Sequence, residues 1–111
     1  MGVGAQRVRD LALALPGASE APHFDRVAFR TPRRIFATLA ADGCHLNLMF
    51  DPELRDFYCQ MAPTMFAPVP GGWGRAGATS CDLDAVDEAT LRSALEAAHR
   101  RAAPRPRRRR P

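Results

Sequence analysis

"RIFATLAADGCHLNLMFDPE", residues 34–53, decides the fold. Two apolar segments, "RIFATLAA" and "HLNLMF", flank Asp42-Gly43, a strong hairpin-turn signal between strands. In the second segment Leu46, Leu48 and Phe50 face one way and His45, Asn47 and Met49 the other, the two-residue period of a strand. Asp51-Pro52 then opens a helix. Asp caps a first turn well, and Pro suits the first helical position, where its missing N–H costs nothing. A hairpin followed by a helix is the start of an antiparallel sheet with a helical cover.

Working outward, "FDRVAFR" reads as the preceding strand: Phe24, Arg26, Ala28 and Arg30 share one face, Asp25, Val27 and Phe29 the other. Thr31-Pro32-Arg33 is its turn. Before it, Val8, Leu11, Ala12 and Leu15 follow a helical stripe over residues 5–15, and Pro16-Gly17 stops it. The alternation in "LALAL" also suits a strand, but the helix propensity of Ala and Leu favours the helix. Downstream, Leu54, Phe57, Tyr58 and Met61 are the expected buried stripe of the second helix. "TMFAPVP" is a short, proline-damaged edge strand. "ATSCDLDAV" is the last strand, with Thr79, Cys81 and Leu83 on one side. The final helix begins near Asp87, with Val86 and Leu91 as a hydrophobic staple and Leu91, Ala94, Leu95 and Ala98 as its inner stripe. Pro104 ends it. The order is α-β-β-β-α-β-β-α: an α+β, two-layer domain with a mostly antiparallel five-stranded sheet and helices on one face.

The size agrees. A chain of 111 residues holds one core, here residues 1–104, followed by an Arg-rich arm without fixed structure over residues 105–111. Hydrophobic residues at 46% with 25% charged describe an ordinary globular protein. No apolar run approaches the roughly 20 residues that span a bilayer. The N-terminal "MGVGAQRVRDLALALPGASE" has a signal-peptide look, but its apolar part is short and Asp10 sits against it. It reads as a structural helix, and a cytoplasmic location follows. Cys44, Cys59 and Cys81 form no Cys-x-x-Cys pair and read as buried reduced thiols.

The net charge of +4 is unevenly placed. All 16 basic residues are arginine, and five of them, Arg105, Arg107, Arg108, Arg109 and Arg110, lie in the last seven residues. The body before them carries eleven arginines against twelve acids, so the alkaline balance belongs to the arm.

"GGWGRAGATS", residues 71–80, contains the G-x-G-x-x-G spacing of a dinucleotide-binding turn at Gly72, Gly74 and Gly77. That fingerprint works where a strand ends before it and a helix begins in it. Here Pro-Val-Pro precedes the glycines and a strand follows. A P-loop fails too, because Ala78 stands where the phosphate-reaching lysine is needed. The stretch reads instead as a loop placing Trp73 and Arg75 at the end of the sheet. With "LALALPGASEAPHF", "RIFATLA", "LNLMFDPE" and "GGWGRAGATSCDLDAVDEATLRSALEAAHRRAAP", the chain resembles the MmcQ/YjbR-like family of small bacterial proteins over most of its body. The resemblance implies a two-layer fold similar to frataxin-like and secretion-chaperone-like domains, and a family commonly described as DNA-binding. It implies no catalytic constellation. Where relatives often carry Tyr in the last helix, this chain has His99.

Catalytic and metal readings find little support. His23 and Asp25 are two residues, short of the three or four ligands a metal needs, and Cys44 and His45 point to opposite faces of a strand. Asp82, Asp84, Asp87 and Glu88 suit the positive start of the last helix. No enzyme activity, metal or cofactor is expected. The arginines carry the positive reading. Arg26 and Arg30 share a strand face, Arg33 and Arg34 sit at the next turn, and Arg75 flanks Trp73. On an open sheet face these guanidiniums can meet phosphates while Trp73 stacks on an unpaired base, and the terminal arm adds sequence-blind attraction. The plainer reading is a solvated face balanced by Asp25, Asp42 and Asp82. DNA or another polyanion is therefore the expected partner, bound without sequence specificity. The alternative is a protein-interaction or chaperone-like domain, dimeric or with another partner, exposing Met65, Phe66, Val69 and Trp73. A small-ligand pocket near His23, Trp73 and Arg75 ranks third.

Overall fold

The computed structural model describes residues 2–103, so the five arginines of the C-terminal arm lie outside the described residues. In chain order the elements are α1 (Ala5–Leu13), β1 (Ser19–His23), β2 (Arg26–Arg30), β3 (Ile35–Leu39), β4 (His45–Leu48), α2 (Pro52–Met61), β5 (Phe66–Pro68), α3 (Gly72–Arg75), β6 (Thr79–Asp82) and α4 (Glu88–Ala102). The class is α+β as expected, with six strands rather than five. All pairs are antiparallel, in the spatial order β1-β2-β3-β4-β6-β5.

The extra strand, β1, pairs along its whole length with β2, from Ser19 opposite Arg30 to His23 opposite Arg26. It lies at an edge, where Pro22 is tolerated. The hairpin at Asp42-Gly43 forms, with Leu39 opposite Leu46 and Ala37 opposite Leu48. Gly43 takes a positive φ of 70°, and Asp42 Oδ1 accepts from the Cys44 N–H.

Alternation sorts the sheet into two faces. Phe29, Ala37, Leu39, Leu46, Leu48, Cys81 and Phe66 enter the core beneath α1 and α4. Leu91, Ala94, Leu95 and Ala98 of α4 are buried as their spacing predicts, and Asp87 caps the helix by accepting from the Thr90 N–H. The α2 cap is likewise as read: Asp51 Oδ1 accepts from the Leu54 N–H at 2.8 Å.

The α2 stripe is a correction. Tyr58 is buried, stacked on Phe50 and bonded through its hydroxyl to Ser93 of α4 at 2.6 Å, but Phe57 and Met61 are 57% and 52% exposed. This helix covers one end of the sheet, against β5, and so buries a narrower face than a central helix does. Phe66, expected at the surface, is buried against Tyr58, and Met65 packs partly on the core. Of the thiols only Cys81 is fully buried; Cys44 and Cys59 are half-buried.

His99 acts as a tie. Its Nε2–H donates to the Pro16 carbonyl at 2.7 Å, and its ring meets Phe36 edge-on, joining α4 to the stop of α1. At the far end of α4, Thr31 Oγ1 donates to the Ala102 carbonyl and Arg33 Nη1 donates to the Arg101 carbonyl. The last carbonyls of a helix lack internal partners, and the β2–β3 turn supplies them.

Candidate functional site

The face of the sheet opposite α1 and α4 carries the other half of the alternation. Arg26, Ala28 and Arg30 of β2, Thr38 of β3, Asn47 of β4 and Ser80 of β6 fall on it by register. A groove of about 530 Å³ runs across it, within the roughly 300–1,000 Å³ typical of ligand sites. Ile35, Met49, Val69 and Ala78 give it apolar walls, Thr38 and Asn47 a polar floor. His23, Phe24 and Asp25 close one side, and Trp73 lines it from α3.

Arg26 and Arg34 both line this groove. Arg26 is fixed in place: its Nε donates to Thr38 Oγ1 at 2.9 Å and its Nη2 to the Thr38 carbonyl at 2.8 Å. Those acceptors are neutral, so the charge is positioned without being neutralised. Arg34 is set by its backbone, whose N–H and carbonyl close the turn on Thr31. No carboxylate lies within ion-pair distance of either guanidinium among the described residues. Of the acids that could balance them, Asp25 lines the same groove outside ion-pair distance, Asp42 faces His45, and Asp82 Oδ1 accepts from the Asp84 N–H.

The remaining predicted arginines separate. Arg30 shares the face, with its Nε on the Thr31 carbonyl. Arg33 turns to the end of α4 and leaves the groove. Arg75 is absent from the groove lining; its guanidinium lies over Gly72. Thus Arg26, Arg34 and Trp73 line one groove, while Arg33 and Arg75 do not.

The glycine stretch folds as a four-residue helix where a loop was expected. Its glycines serve close packing. A side chain at Gly74 would run into the Val69 carbonyl, and Gly77 has a φ of 122° with Phe50 and Asp51 backbone against it. Arg55 of α2 reaches over and donates Nη1–H to the Gly74 carbonyl at 2.7 Å. Ala78 N–H donates to the Trp73 carbonyl at 2.9 Å. Trp73 is thereby held on a fixed backbone while its side chain stays 72% exposed.

Phe24 was missed as a site residue. Phe24 and Asp25 form the two-residue β1–β2 turn, with φ positive only at Phe24, 58°. A positive φ at a turn position favours glycine, and a bulky residue there costs about 1–2 kcal/mol. The ring is 96% exposed and meets His23 edge-on at 5.0 Å. No turn dipeptide in the sequence signals this.

Cys44 and His45 each turn to Asp42. The Cys44 thiol donates to the Asp42 carbonyl, and nearby Asp84, followed by desolvation, pushes its pKa up. The His45 ring faces Asp42 instead. Burial raises the Cys81 thiol to about 12. Among the described residues no three His, Cys, Asp or Glu side chains gather to hold a metal, and no helix is long and apolar enough to cross a membrane.

The family model YjbR matches residues 13–101. The chain belongs to the YjbR family. A solved structure, the Deinococcus radiodurans protein DR2400 with a DUF419 family-model domain, superposes with a TM-score of 0.70 at 22% identity, covering 86% of this chain and 75% of that one. The family model and the shared fold agree on a YjbR domain that includes every residue of the groove. No curated protein matches the chain.

Proposed function

We propose that this YjbR domain binds nucleic acid across the open face of its sheet, through arginine contacts to phosphates and without catalysis. The observation that carries the reading is the pair Arg26 and Arg34, two guanidiniums lining one groove with no carboxylate partner. Elsewhere on the surface Arg7 is paired with Glu88 and Arg9 with Glu20. Two left without an ion pair on one groove attract an anion, and planar guanidiniums match phosphate oxygens. Arg30 extends the positive face along β2. The arm of five arginines follows α4, whose last carbonyls are held by the β2–β3 turn that carries Arg33 and Arg34. Phosphate contacts of this kind position a strand and carry no sequence reading.

The test is a mobility-shift titration at low salt, comparing the full chain, a chain lacking residues 105–111, and the full chain with Arg26→Gln and Arg34→Gln. Both alterations should weaken binding, the arm deletion by lost general attraction and the double substitution by lost contacts. Undetectable binding by the unaltered chain removes the reading.

A second reading rests on Phe57 and Met61, exposed one turn apart on α2. Such a patch favours a protein contact, with a second copy of this chain the simplest occupant. A monomeric mass by sedimentation at high concentration counts against it.

A further inference from the structure

We infer that the groove holds unpaired bases of a single strand, with Phe24 and Trp73 as separate stacking surfaces along it. This rests on the nucleic-acid reading and narrows it from a polyanion in general to strands whose bases are free of a duplex.

Phe24 carries the first part of the argument. Its ring is almost wholly in water, and its backbone occupies the left-handed region that a phenylalanine avoids. Both penalties would vanish with glycine at that turn position. The core makes no use of the ring, so neither folding nor burial accounts for it. Strain of this kind at the mouth of a groove points to a ligand contact.

Trp73 carries the second. It lines the same groove, is also largely exposed, and sits on backbone braced by Arg55 and Ala78. Two large aromatic surfaces held out of the core at one concave site match the stacking platforms that hold unpaired bases, since every base presents a π-face. Asn47 lies on the floor with no hydrogen-bond partner for its carboxamide among the described residues. A donor and an acceptor side by side suit a base edge. Arg26 and Arg34 then stand along the same groove for the attached phosphates. In a duplex both faces of each base are covered by neighbours, so only a strand with splayed bases fits.

Trp73 is the single tryptophan, so its emission reports the subsite directly. The full chain is titrated with a short oligothymidylate and with a duplex of equal length. The single strand should quench Trp73 emission and bind about tenfold or more tightly than the duplex. Phe24→Gly should weaken single-strand binding about tenfold while its thermal midpoint holds or rises, because glycine suits the turn; Phe24→Tyr should retain binding. Duplex binding at equal strength with Trp73 emission unchanged overturns the base subsite and leaves the phosphate reading standing. No binding of either nucleic acid overturns both. An emission change that follows protein concentration alone places a second copy on the groove and overturns the subsite.

Discussion

A positive φ occurs both at a residue that holds this domain together and at one that serves its surface. Gly77 is of the first kind: its φ of 122° and the Phe50 and Asp51 backbone beside it leave no room for a β-carbon. Gly77→Ala should therefore lower stability by about 2–4 kcal/mol, read as a fall in urea midpoint at unchanged slope. Phe24 is of the second kind, strained yet unburied. The sequence made Gly77 look like part of a phosphate loop and hid Phe24 altogether, because a dihedral angle leaves no compositional mark. By contrast, Arg26 and Trp73 were readable, one from strand alternation and the other from the glycine-rich loop at the sheet end. Cys81 gives a pH prediction at this scale. Burial raises its pKa to about 12, above the ordinary thiol range, so the native chain keeps a proton that the unfolded chain releases. Its contribution to stability is complete below the ordinary thiol pKa and is lost as pH climbs towards 12. Raising the pH from 8 to 10.5 should lower the urea midpoint of the unaltered chain more than that of Cys81→Ala. An equal fall would show that the thiol is not held neutral by the fold.

Elements follow their local signals where capping and alternation agree, and depart where tertiary position intervenes. Asp51-Pro52 and Asp87 started α2 and α4 as read, since a cap is decided by the few residues that form it. "SEAPH" gave no strand signal, yet β1 forms because β2 offers it a full antiparallel ladder at an edge. A tertiary partner outweighed weak propensity. In α2 the spacing gave the right helix and too wide a buried face. The consequence is measurable: Tyr58→Ala, which empties a stacked aromatic cluster and breaks the bond to Ser93, should cost about 3 kcal/mol. Met61→Gln on the same helix should change stability by no more than about 0.5 kcal/mol. Comparable losses from the two would mean that Met61 is buried in solution, as it would be in a dimer.

The whole molecule divides its charge between a nearly neutral body and a basic arm, and within the body between paired and unpaired arginines. The first division was legible from counting; the second required coordinates, because which arginine meets an acid depends on packing that brings Arg7 to Glu88 across 81 positions of sequence. Arg33 shows the limit of counting: a basic residue beside Arg34 in sequence, it serves the end of α4. The nucleic-acid account stands on the two that remain in the groove, and salt dependence measures them directly. Affinity of the full chain for a single-stranded oligonucleotide is followed over a range of salt concentration, with and without Arg26→Gln and Arg34→Gln. Each lost phosphate contact lowers the logarithmic salt slope by about 0.7, so the double substitution should flatten it by about 1.4 and weaken binding at low salt. An unchanged slope and affinity would contradict the account and assign whatever attraction exists to the arm.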